Sequence, residues 1–419
     1  MLIRFVYSIL LTLISPFFIY DLYKKKARKP SVGKRWKEHF GCTPTLSNSA
    51  HPIWIHAVSV GEVIAVSPLI KQLKKQYPKQ SILLTTTTST GAEQANKLGD
   101  LIEHRYMPLD FSFAINSFLK KTQPSQLLIM ETELWPNTLH NVAKSGIPIT
   151  VINARLSQRS ANRYAKFPSV FNLLSSNINK VLCQHQEDAQ RFIKLGLSKE
   201  KVEVTGSIKF DIEVSQQVKD QAKQLRENLG ADRPIWIAAS THQGEDEQIL
   251  TAHQEILKTF PNALLIIVPR HPERFNDVFL LCQQYFQIEK RSTNKNVTSK
   301  QQVYLADTMG EMLTLLGAAD ICFMGGSLIG SKVGGHNLLE PAALGIPSLI
   351  GSSYYNFKEI TEQLLNVDAC FICRDSEAIC KSVTYLLNNK YLQKKSGEAA
   401  LKIIIQNRGA LKNTLNLLN

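Results

Sequence analysis

The amino-acid sequence predicts an α/β protein with two Rossmann-like domains, each built on a parallel β-sheet, behind an apolar N-terminal segment. From residue 52 onward, short apolar runs alternate with longer amphipathic stretches. This alternation is typical of parallel strands joined by crossover helices. The chain of 419 residues is too long for one ordinary hydrophobic core and suits two domains with an appendage.

The N-terminal segment predicts a membrane-anchor helix. Residues 5–20 are almost entirely apolar, and a basic cluster follows them. The cluster comprises Lys24, Lys25, Lys26, Arg28, Lys29, Lys34, Arg35 and Lys37. Because basic residues beside an apolar segment stay in the cytoplasm, we expect the rest of the chain to lie on the cytoplasmic side of the membrane. The segment is short for a full span, so a helix lying in the membrane interface is the alternative.

The domain boundaries follow from the order of the predicted elements. Residues 1–40 are assigned to the anchor and basic segment, 41–208 to the N-terminal domain, 209–217 to a hinge, and 218–419 to the C-terminal domain, whose last helix can cross back. Strands are predicted in the first domain at 53–56, 82–86, 104–107, 127–130, 149–153, 181–183 and 202–205. In the second domain they are predicted at 235–239, 263–268, 303–305, 321–324, 348–350 and 371–373. Two such domains are expected to face a central cleft, because ligands of parallel sheets bind at the carboxyl ends of the strands.

Four side chains suited to catalysis follow strands of the first domain. Glu62, in the sequence HAVSVGE, falls in the first turn of a helix, where a carboxylate can take a proton from an attacking hydroxyl or simply complement the helix dipole. Glu131 and Glu133, in METELWPN, follow an apolar strand and can either stabilise positive charge or cap the next helix. Lys209, in GSIKFD, can meet a phosphate or carboxylate of a donor, or can be an ordinary exposed lysine.

The second domain carries a denser set of candidate anion-binding residues after its strands. These segments are 240–242, 269–272, 307–311, 325–327 and 334–340. The segment at 307–311 opens a helix whose amides can receive a phosphate, and Glu340 can accept hydrogen bonds from ribose hydroxyls. Neither G-x-G-x-x-G nor G-x-x-x-x-G-K-[ST] is present, which argues against a dinucleotide enzyme and a P-loop NTPase.

The charge balance indicates an anionic partner. The chain has 49 Lys and Arg against 35 Asp and Glu, a formal net charge of +14. Such a surplus attracts nucleic acid, phospholipid surfaces or phosphorylated substrates. The basic motifs interleaved with aromatic residues that nucleic-acid modules use are absent, so we expect no nucleic-acid partner. The seven cysteines lack the spacing of a zinc site, and no metal site is predicted.

Seven ordered motifs together resemble the 3-deoxy-D-manno-octulosonic acid (Kdo) transferases of lipopolysaccharide and lipid A synthesis. The motifs are HAVSVGE, METELWPN, GSIKFD, STHQGEDE, VPRHPERF, DTMGEML and GGHNLLEPAALGIP, and RWKEHFG at 35–41 also fits. The likeness runs from the N-terminal segment to near the C-terminus. It implies a GT-B fold and transfer of Kdo from CMP-Kdo to lipid IVA, the lipid A precursor, at the cytoplasmic face of the inner membrane.

The resemblance also implies roles for individual residues. Glu62 matches the family's general base, and Glu131 and Lys209 match its transition-state stabilisers. The residues that match its CMP contacts are Pro269, Arg270, Met309, Gly310, Glu311, Asn337, Leu338, Leu339 and Glu340. Leu338 stands where the family often has proline. Because this position starts a helix, we expect a small effect on stability and no lost contact.

Residues and resemblance together predict an inverting displacement that needs no metal or other cofactor. Glu62 removes the proton of an acceptor hydroxyl, which attacks the anomeric carbon of Kdo as CMP departs. Arg270, Lys209 and the helix terminus at Gly310 can balance the charge of the leaving phosphate. The expected partners are CMP-Kdo, lipid IVA and the anionic inner-membrane surface. The alternatives are a UDP-sugar-dependent GT-B enzyme of cell-envelope synthesis and a non-catalytic, membrane-bound basic module that binds nucleic acid.

Overall fold

A computed structural model describes residues 2–23, 32–47, 51–295 and 297–418 of the chain. The chain divides into two compact units by its internal contacts. Unit 1 comprises Met1–Asp211 and Arg408–Asn419, and unit 2 comprises Ile212–Asn407. Each unit contains one parallel β-sheet covered by helices, as the sequence predicts.

Unit 1 is built on a seven-stranded parallel sheet. Within the described residues its strands are β1 (Ile53–His56), β2 (Ile82–Thr86), β3 (Glu103–Tyr106), β4 (Gln126–Met130), β5 (Ile149–Ala154), β6 (Lys180–Cys183) and β7 (Val202–Val204). The strands lie in the order β3-β2-β1-β4-β5-β6-β7, and neighbouring strands are parallel. The winding direction reverses between β1 and β4. In open parallel sheets, ligands bind beside such a reversal, at the carboxyl ends of the strands.

Helices cover both faces of the unit 1 sheet. They are α1 (Leu2–Tyr23), α2 (Val60–Gln76), α3 (Ser89–Asn96), α4 (Ser112–Thr122), α5 (Pro136–Lys144), α6 (Gln158–Ala165), α7 (Pro168–Ser175) and α8 (Gln186–Lys194), with 3₁₀ helices at Gly33–Phe40, Gly99–Leu101, Lys199–Lys201 and Ile208–Phe210. Ile55 of β1 packs in one buried cluster with Val66 of α2, while Trp54 packs in another with Phe118 of α4. Because both faces are buried, the strands read as continuous apolar runs rather than as alternating patterns.

Unit 2 contains a second seven-stranded parallel sheet. Within the described residues its strands are β8 (Ile235–Thr241), β9 (Leu264–Pro269), β10 (Ile288–Lys290), β11 (Val303–Leu305), β12 (Ile321–Met324), β13 (Ser348–Ile350) and β14 (Cys370–Ile372). Their order is β10-β11-β9-β8-β12-β13-β14, with neighbouring strands parallel. The winding direction reverses here between β8 and β12, which marks the expected ligand edge of this unit.

The helices of unit 2 alternate with these strands. They are α9 (Gln216–Leu229), α10 (Asp246–Thr259), α11 (Phe275–Gln283), α12 (Met312–Gly317), α13 (Leu339–Ala343), α14 (Lys358–Leu365), α15 (Ser376–Asn388) and α16 (Lys390–Asn407), with 3₁₀ helices at Pro272–Arg274, Arg291–Thr293, Gly330–Lys332 and Tyr355–Phe357. Strand β10 is absent from the sequence prediction. It is only three residues long, lies at the sheet edge and carries Glu289 and Lys290, so it produces no apolar run.

The last helix, α17 (Ala410–Leu418), belongs to unit 1. The backbone amides of Gly409 and Leu411 donate to the carboxylate of Asp211, with N···O distances of 2.7 and 2.6 Å. Asp211 therefore caps the start of the helix. Ala410 and Leu415 are buried in the same apolar cluster as α2, which fixes this C-terminal segment on the unit 1 sheet.

The sequence motif RWKEHFG forms the 3₁₀ helix Gly33–Phe40, which attaches to the edge strand β3. The buried carboxylate of Glu38 accepts the backbone N–H of Tyr106 at 2.7 Å and two N–H groups of Arg35 at 2.7 and 2.9 Å. The guanidinium of Arg35 also lies over the Tyr106 ring, 4.7 Å from its centroid. These contacts give the motif a structural role in unit 1.

The predicted membrane-spanning helix is not supported by the structure. Helix α1 covers Leu2–Tyr23 with Pro16 inside it, and in the described part of the chain no helix combines the length and apolarity needed to cross a bilayer. The basic residues from Lys24 to Lys29, on which the predicted orientation depends, lie outside the described residues.

We predict that Gly397→Ala destabilises unit 2, although alanine normally favours a helix over glycine by about 1 kcal/mol. A Cβ atom at Gly397 of α16 would lie 2.0 Å from the carbonyl oxygen of Gly345. Overpacking of this kind lowers the free energy of unfolding by about 1–3 kcal/mol. Thermal unfolding followed by circular dichroism measures the effect, with the exposed Glu398→Ala on the same helix as control. A higher unfolding temperature for Gly397→Ala would contradict the packing described here.

Candidate functional site

The residues predicted for catalysis all lie in unit 1, at the carboxyl ends of its strands. Glu62 follows β1, Glu131 follows β4 and Lys209 follows β7. Strands β1 and β4 are the neighbours between which the winding direction reverses. The fold therefore brings residues from distant parts of the sequence to the edge where a parallel sheet binds ligands.

The carboxylate of Glu62 is held by the loop that precedes its own helix. Its Oε2 accepts the backbone N–H of Val58 at 2.9 Å, and its Oε1 accepts the hydroxyl of Ser59 at 2.9 Å. Ser59 in turn caps α2 by accepting the backbone N–H of Glu62. The reciprocal contacts resemble a capping box and fix the rotamer of the side chain. Because each carboxylate oxygen has two lone pairs, Glu62 retains acceptor capacity for a further hydroxyl.

The surroundings of Glu62 favour proton uptake by its carboxylate. Burial raises its pKa above the ordinary value for glutamate, and the negative charges of Glu131 and Glu133 act in the same direction. The hydrogen bonds from Val58 and Ser59 partly oppose the shift. A carboxylate with a raised pKa is a better general base than an exposed one, since catalytic bases work best near the operating pH.

Glu131 and Lys209 form an ion pair within unit 1. The Nζ of Lys209 lies 2.8 Å from Oε1 of Glu131, and both side chains are partly exposed. Glu131 has a φ of 57°, in the left-handed region that a non-glycine residue seldom adopts. Such backbone strain is commonly retained at functional sites. Since the pair is partly exposed, its contribution to stability is small.

Glu133, which the sequence analysis named beside Glu131, lies within electrostatic reach of Glu62 and Glu131. Burial raises the pKa of Glu133, and the charge of Glu131 adds to the shift. The side chain of Trp135 donates to the Glu133 carboxylate and opposes that rise. Unit 1 thus gathers three carboxylates and one lysine at its ligand edge. The spacing E-x-E after an apolar strand was the available signal in the sequence.

The position of Lys209 is fixed from both sides. It lies in the 3₁₀ helix Ile208–Phe210, in which the backbone N–H of Ile208 donates to Oδ1 of Asn153 at 3.1 Å. Asp211, two residues beyond Lys209, caps α17 as described above. The C-terminal helix therefore supports the segment that carries Lys209, a connection that linear sequence cannot reveal.

In unit 2, Pro269 and Arg270 lie at the end of β9. The backbone N–H of Arg270 donates to the carbonyl oxygen of Thr241 at 3.0 Å, and the Arg270 side chain is exposed. The buried carboxylate of Asp246 accepts the hydroxyl of Thr241 at 2.7 Å and also pairs with the guanidinium of Arg274. This network fixes the start of the segment after β9 against the end of β8.

Met309, Gly310 and Glu311 form the turn before α12. Met309 is exposed, and Gly310 has a φ of 86°. The carboxylate of Glu311 accepts N–H groups of Arg291 at 2.9 and 3.3 Å and the hydroxyl of Thr308. These contacts, chiefly the hydrogen bonds from Arg291, lower the pKa of Glu311. The Glu311 carboxylate thus has an internal partner, so its side chain serves at least to hold this turn in place.

Asn337, Leu338, Leu339 and Glu340 surround the start of α13. Leu338 and Leu339 are buried, so only their backbone atoms are available to a ligand. Leu338 has a φ of −82°, close to the value that proline imposes, which agrees with its position at the helix start. Burial raises the pKa of Glu340, and the positive charge of Arg270 opposes that rise. The structure therefore brings Arg270 and Glu340 within electrostatic reach of each other.

A buried carboxylate organises the two loops at the reversal point of the unit 2 sheet. Glu245 is 0% exposed and accepts four backbone N–H groups. Oε2 accepts those of His242 at 2.9 Å and Gly326 at 2.7 Å, and Oε1 accepts those of Ser327 and Leu328 at 2.9 Å. The amides of Gly326 and Ser327, which belong to the segment that the sequence analysis offered to a ligand anion, thus donate to Glu245. A side chain on Gly325 would meet the Ser240 carbonyl oxygen at 2.6 Å, so the two loops require glycine to approach this closely.

Two histidines meet beside these loops. The rings of His242 and His336 stack at 5.0 Å between centroids, and their Nε2 atoms lie 2.8 Å apart. His271 packs edge-on against His242 at 5.3 Å. The motifs containing these residues were recognised in the sequence, but their contact joins positions 94 residues apart along the chain.

We predict that Glu245→Gln destabilises unit 2 strongly. The amide keeps one acceptor atom but turns an NH₂ group toward backbone donors, so buried N–H groups lose their partner at a cost of about 2–3 kcal/mol. Thermal unfolding measures the change, and Glu247→Gln, an exposed site on the same helix, is the matched control. Equal unfolding temperatures for both variants would show that the carboxylate does not hold the loops.

Comparisons with known proteins agree with this architecture. The family model for 3-deoxy-D-manno-octulosonic-acid transferase (kdotransferase) matches residues 34–212, and the model for glycosyl transferases group 1 matches residues 219–403. Among solved structures, the UDP-GlcNAc 2-epimerase of Neisseria meningitidis is similar over 85% of this chain and 99% of its own, with a TM-score of 0.52 and 18% identity. That likeness concerns the fold alone and is consistent with a GT-B-like α/β fold.

Two relatives that match most of the chain decide the family, and one solved domain is also similar to part of it. The C-terminal CMP-Kdo binding domain of WaaA from Acinetobacter baumannii is 34% identical over 46% of this chain and 100% of its own, with a TM-score of 0.44. The 3-deoxy-D-manno-octulosonic acid transferase of Rickettsia felis is 32% identical over 87% of this chain and 78% of its own. That of Haemophilus influenzae is 42% identical over 422 residues, covering 99% of this chain and 98% of its own. The chain therefore belongs to the family of 3-deoxy-D-manno-octulosonic acid transferases, the glycosyltransferases of lipopolysaccharide synthesis.

Proposed function

We propose that this protein transfers Kdo from CMP-Kdo to lipid IVA, with inversion at the anomeric carbon, at the cytoplasmic face of the inner membrane. The observation that carries the proposal is the carboxylate of Glu62, fixed by Val58 and Ser59 at the ligand edge of unit 1 with its pKa raised by burial. A family of Kdo transferases needs such a base, because the acceptor hydroxyl is a weak nucleophile until its proton is removed.

The proposed step needs one base and forms no covalent intermediate with the enzyme. Glu62 takes the proton of the acceptor hydroxyl while a bond forms between the hydroxyl oxygen and the anomeric carbon of Kdo. The bond between that carbon and the phosphate oxygen breaks, and its electron pair leaves with CMP. Positive charge develops on the sugar ring, and the carboxylate of Glu131, held by Lys209 at 2.8 Å, is the proposed stabiliser.

The donor is proposed to bind at the carboxyl edge of the unit 2 sheet. Arg270, exposed after β9, is suited to the phosphate, and Glu340 is suited to ribose hydroxyls. The other proposed contacts are Pro269, Met309, Gly310, Glu311, Asn337, Leu338 and Leu339, with Leu338 and Leu339 acting through their backbone. Cationic side chains balance the phosphate charge in this proposal, so no metal or other cofactor is required.

The membrane location of the acceptor is supported by the surface of α1. Phe5, Leu13 and Phe17 are 63%, 66% and 77% exposed on this helix. On the opposite side, the hydroxyl of Ser8 accepts the side-chain N–H of Asn137 at 3.1 Å, at the start of α5, which follows the Glu131 loop. Exposed apolar faces of this kind mark contact with a membrane or a partner. We infer that α1 lies in the membrane interface and that the net charge of +14 adds attraction to anionic lipid.

Mass spectrometry of the products tests the proposed reaction. The full-length protein is incubated with CMP-Kdo and lipid IVA, and the expected result is lipid IVA enlarged by Kdo. The same assay with EDTA is expected to proceed unchanged, and added CMP is expected to inhibit where UDP does not. Inhibition by UDP alone would favour a UDP-sugar enzyme, and loss of activity in EDTA that magnesium restores would overturn the metal-independent mechanism.

We predict that Glu62→Gln lowers kcat by roughly two to four orders of magnitude, the usual contribution of a general base. The amide can accept from Val58 and donate to Ser59, so the loop and CMP binding are expected to remain. Because burial raises the pKa of Glu62, kcat/KM of the wild type should fall as the pH drops through that raised value. The variant should lack this acid limb.

Steady-state kinetics over a pH series measure both effects. The control is Glu93→Gln, at an exposed position on α3, which is expected to keep wild-type activity and its pH dependence. A Glu62→Gln enzyme with near-normal turnover would remove Glu62 from the mechanism.

A further inference from the structure

The His242–His336 contact lies within electrostatic reach of Arg270, to which the proposed function assigns the donor phosphate, and it has no assigned role in the mechanism above. The two Nε2 atoms are 2.8 Å apart, so one ring donates its Nε2–H and the other accepts it through a lone pair. Either ring can be the donor of this hydrogen bond, depending on which Nε2 atom carries the hydrogen. One further proton can be added at the Nδ1 of the donating ring without breaking that bond. A second added proton would leave two imidazolium cations in contact, so the pair can take up one added proton.

The surroundings keep this pair neutral in the free protein. Burial lowers the pKa of His242 to about 4 and that of His336 to about 3, and nearby positive groups add to the shift. The groups that face the pair are Arg270, Arg274 and His271, and each contributes to the shift of His242. The carboxylates of Glu245 and Asp246, which follow His242 along the chain, both have partners of their own. Asp246 pairs with Arg274, and Glu245 accepts four backbone amides.

A bound phosphate group would favour the protonated form of the histidine pair over the neutral form. A sugar nucleotide carries one negative charge on the phosphate attached to the sugar, whereas the released monophosphate carries nearly two at pH 7.5, since its second pKa is about 6. Opposite charge within a few ångströms favours the protonated form of histidine. The leaving group therefore acquires its extra charge beside a hydrogen-bonded pair with room for one proton.

We propose that the His242–His336 pair takes up one proton from solvent when a nucleoside monophosphate dianion occupies this edge of unit 2, and so offsets the charge that the leaving group gains. The inference rests on the proposed donor site. The hydroxyl proton removed from the acceptor goes to Glu62 and is a different proton. The pair thus acts on the leaving group, and its protonation strengthens binding of the product nucleotide.

Isothermal titration calorimetry of the full-length protein with CMP tests the proposal. Titrations at pH 7.5 in three buffers of different ionisation enthalpy give the number of protons exchanged. We expect uptake of about one proton per CMP, and CMP affinity rising up to about tenfold per pH unit as the pH falls from 8 to 7. Cytidine, which lacks the phosphate, is expected to bind without proton uptake.

Three variants locate the proton. His336→Gln and His242→Gln keep a hydrogen-bonding side chain but remove one imidazole of the pair, and each is expected to bind CMP without proton uptake. His271→Gln, which removes the exposed ring packed against His242, tests whether the proton resides on that neighbour instead, and proton uptake is expected to persist whatever the change in CMP affinity. Circular dichroism reports whether each variant is folded, and if one is not, the comparison of CMP with cytidine on the wild type still decides the proposal.

The outcomes separate this inference from the proposed function. If CMP binds the wild type without proton uptake, or if uptake persists in both pair variants, the pair is not the acceptor and the inference fails while the donor site stands. If only His271→Gln abolishes uptake, the proton resides on His271 and the inference also fails. If CMP does not bind at all, the donor assignment itself is wrong.

Discussion

The unit 1 site depends on one constraint, which is that the carboxylate of Glu62 is held in place although burial disfavours its negative charge. Val58 and Ser59 fix Glu62 through both of its oxygens, and Glu131 and Glu133 add negative charge nearby. Lys209 offsets the negative charge of Glu131, because its Nζ lies 2.8 Å from Oε1 of that residue. The lysine thus places one positive charge among three carboxylates at this sheet edge.

The same physical problem is solved differently in unit 2. Here the buried carboxylate of Glu245 accepts hydrogen bonds from four backbone amides instead of pairing with a cation. These hydrogen bonds join the loops after β8 and β12. Charge-assisted hydrogen bonds to four amides are strong enough to fix both loops. Arg270 and the histidine pair therefore lie beside loops that these hydrogen bonds hold in place. In both units, candidate site residues follow the two strands between which the winding direction reverses.

Much of the architecture could be predicted from the sequence because buried parallel strands leave a strong local signal. Five strands have the predicted limits, among them Ile53–His56 and Ile82–Thr86. Strand Ile288–Lys290 was missed because a three-residue edge strand with only one apolar residue carries no such signal. The N-terminal residues were predicted as a membrane anchor, with an interfacial helix as the alternative to a full span, and within the described chain no helix is long and apolar enough to cross a membrane. An apolar run does not by itself distinguish a span from a helix that exposes one face and packs the other.

The sequence by itself determined the elements, the two-unit organisation of parallel sheets and the loops in which polar side chains follow strands, because these features depend on neighbours in the chain. Only the tertiary structure decided which of those side chains meet. The Lys209–Glu131 pair, the capping of α17 by Asp211 and the contact of His242 with His336 join positions far apart along the chain. The physical reason is that hydrogen bonds and charge interactions act over a few ångströms of space, and a linear sequence contains no direct record of which distant residues come within that range.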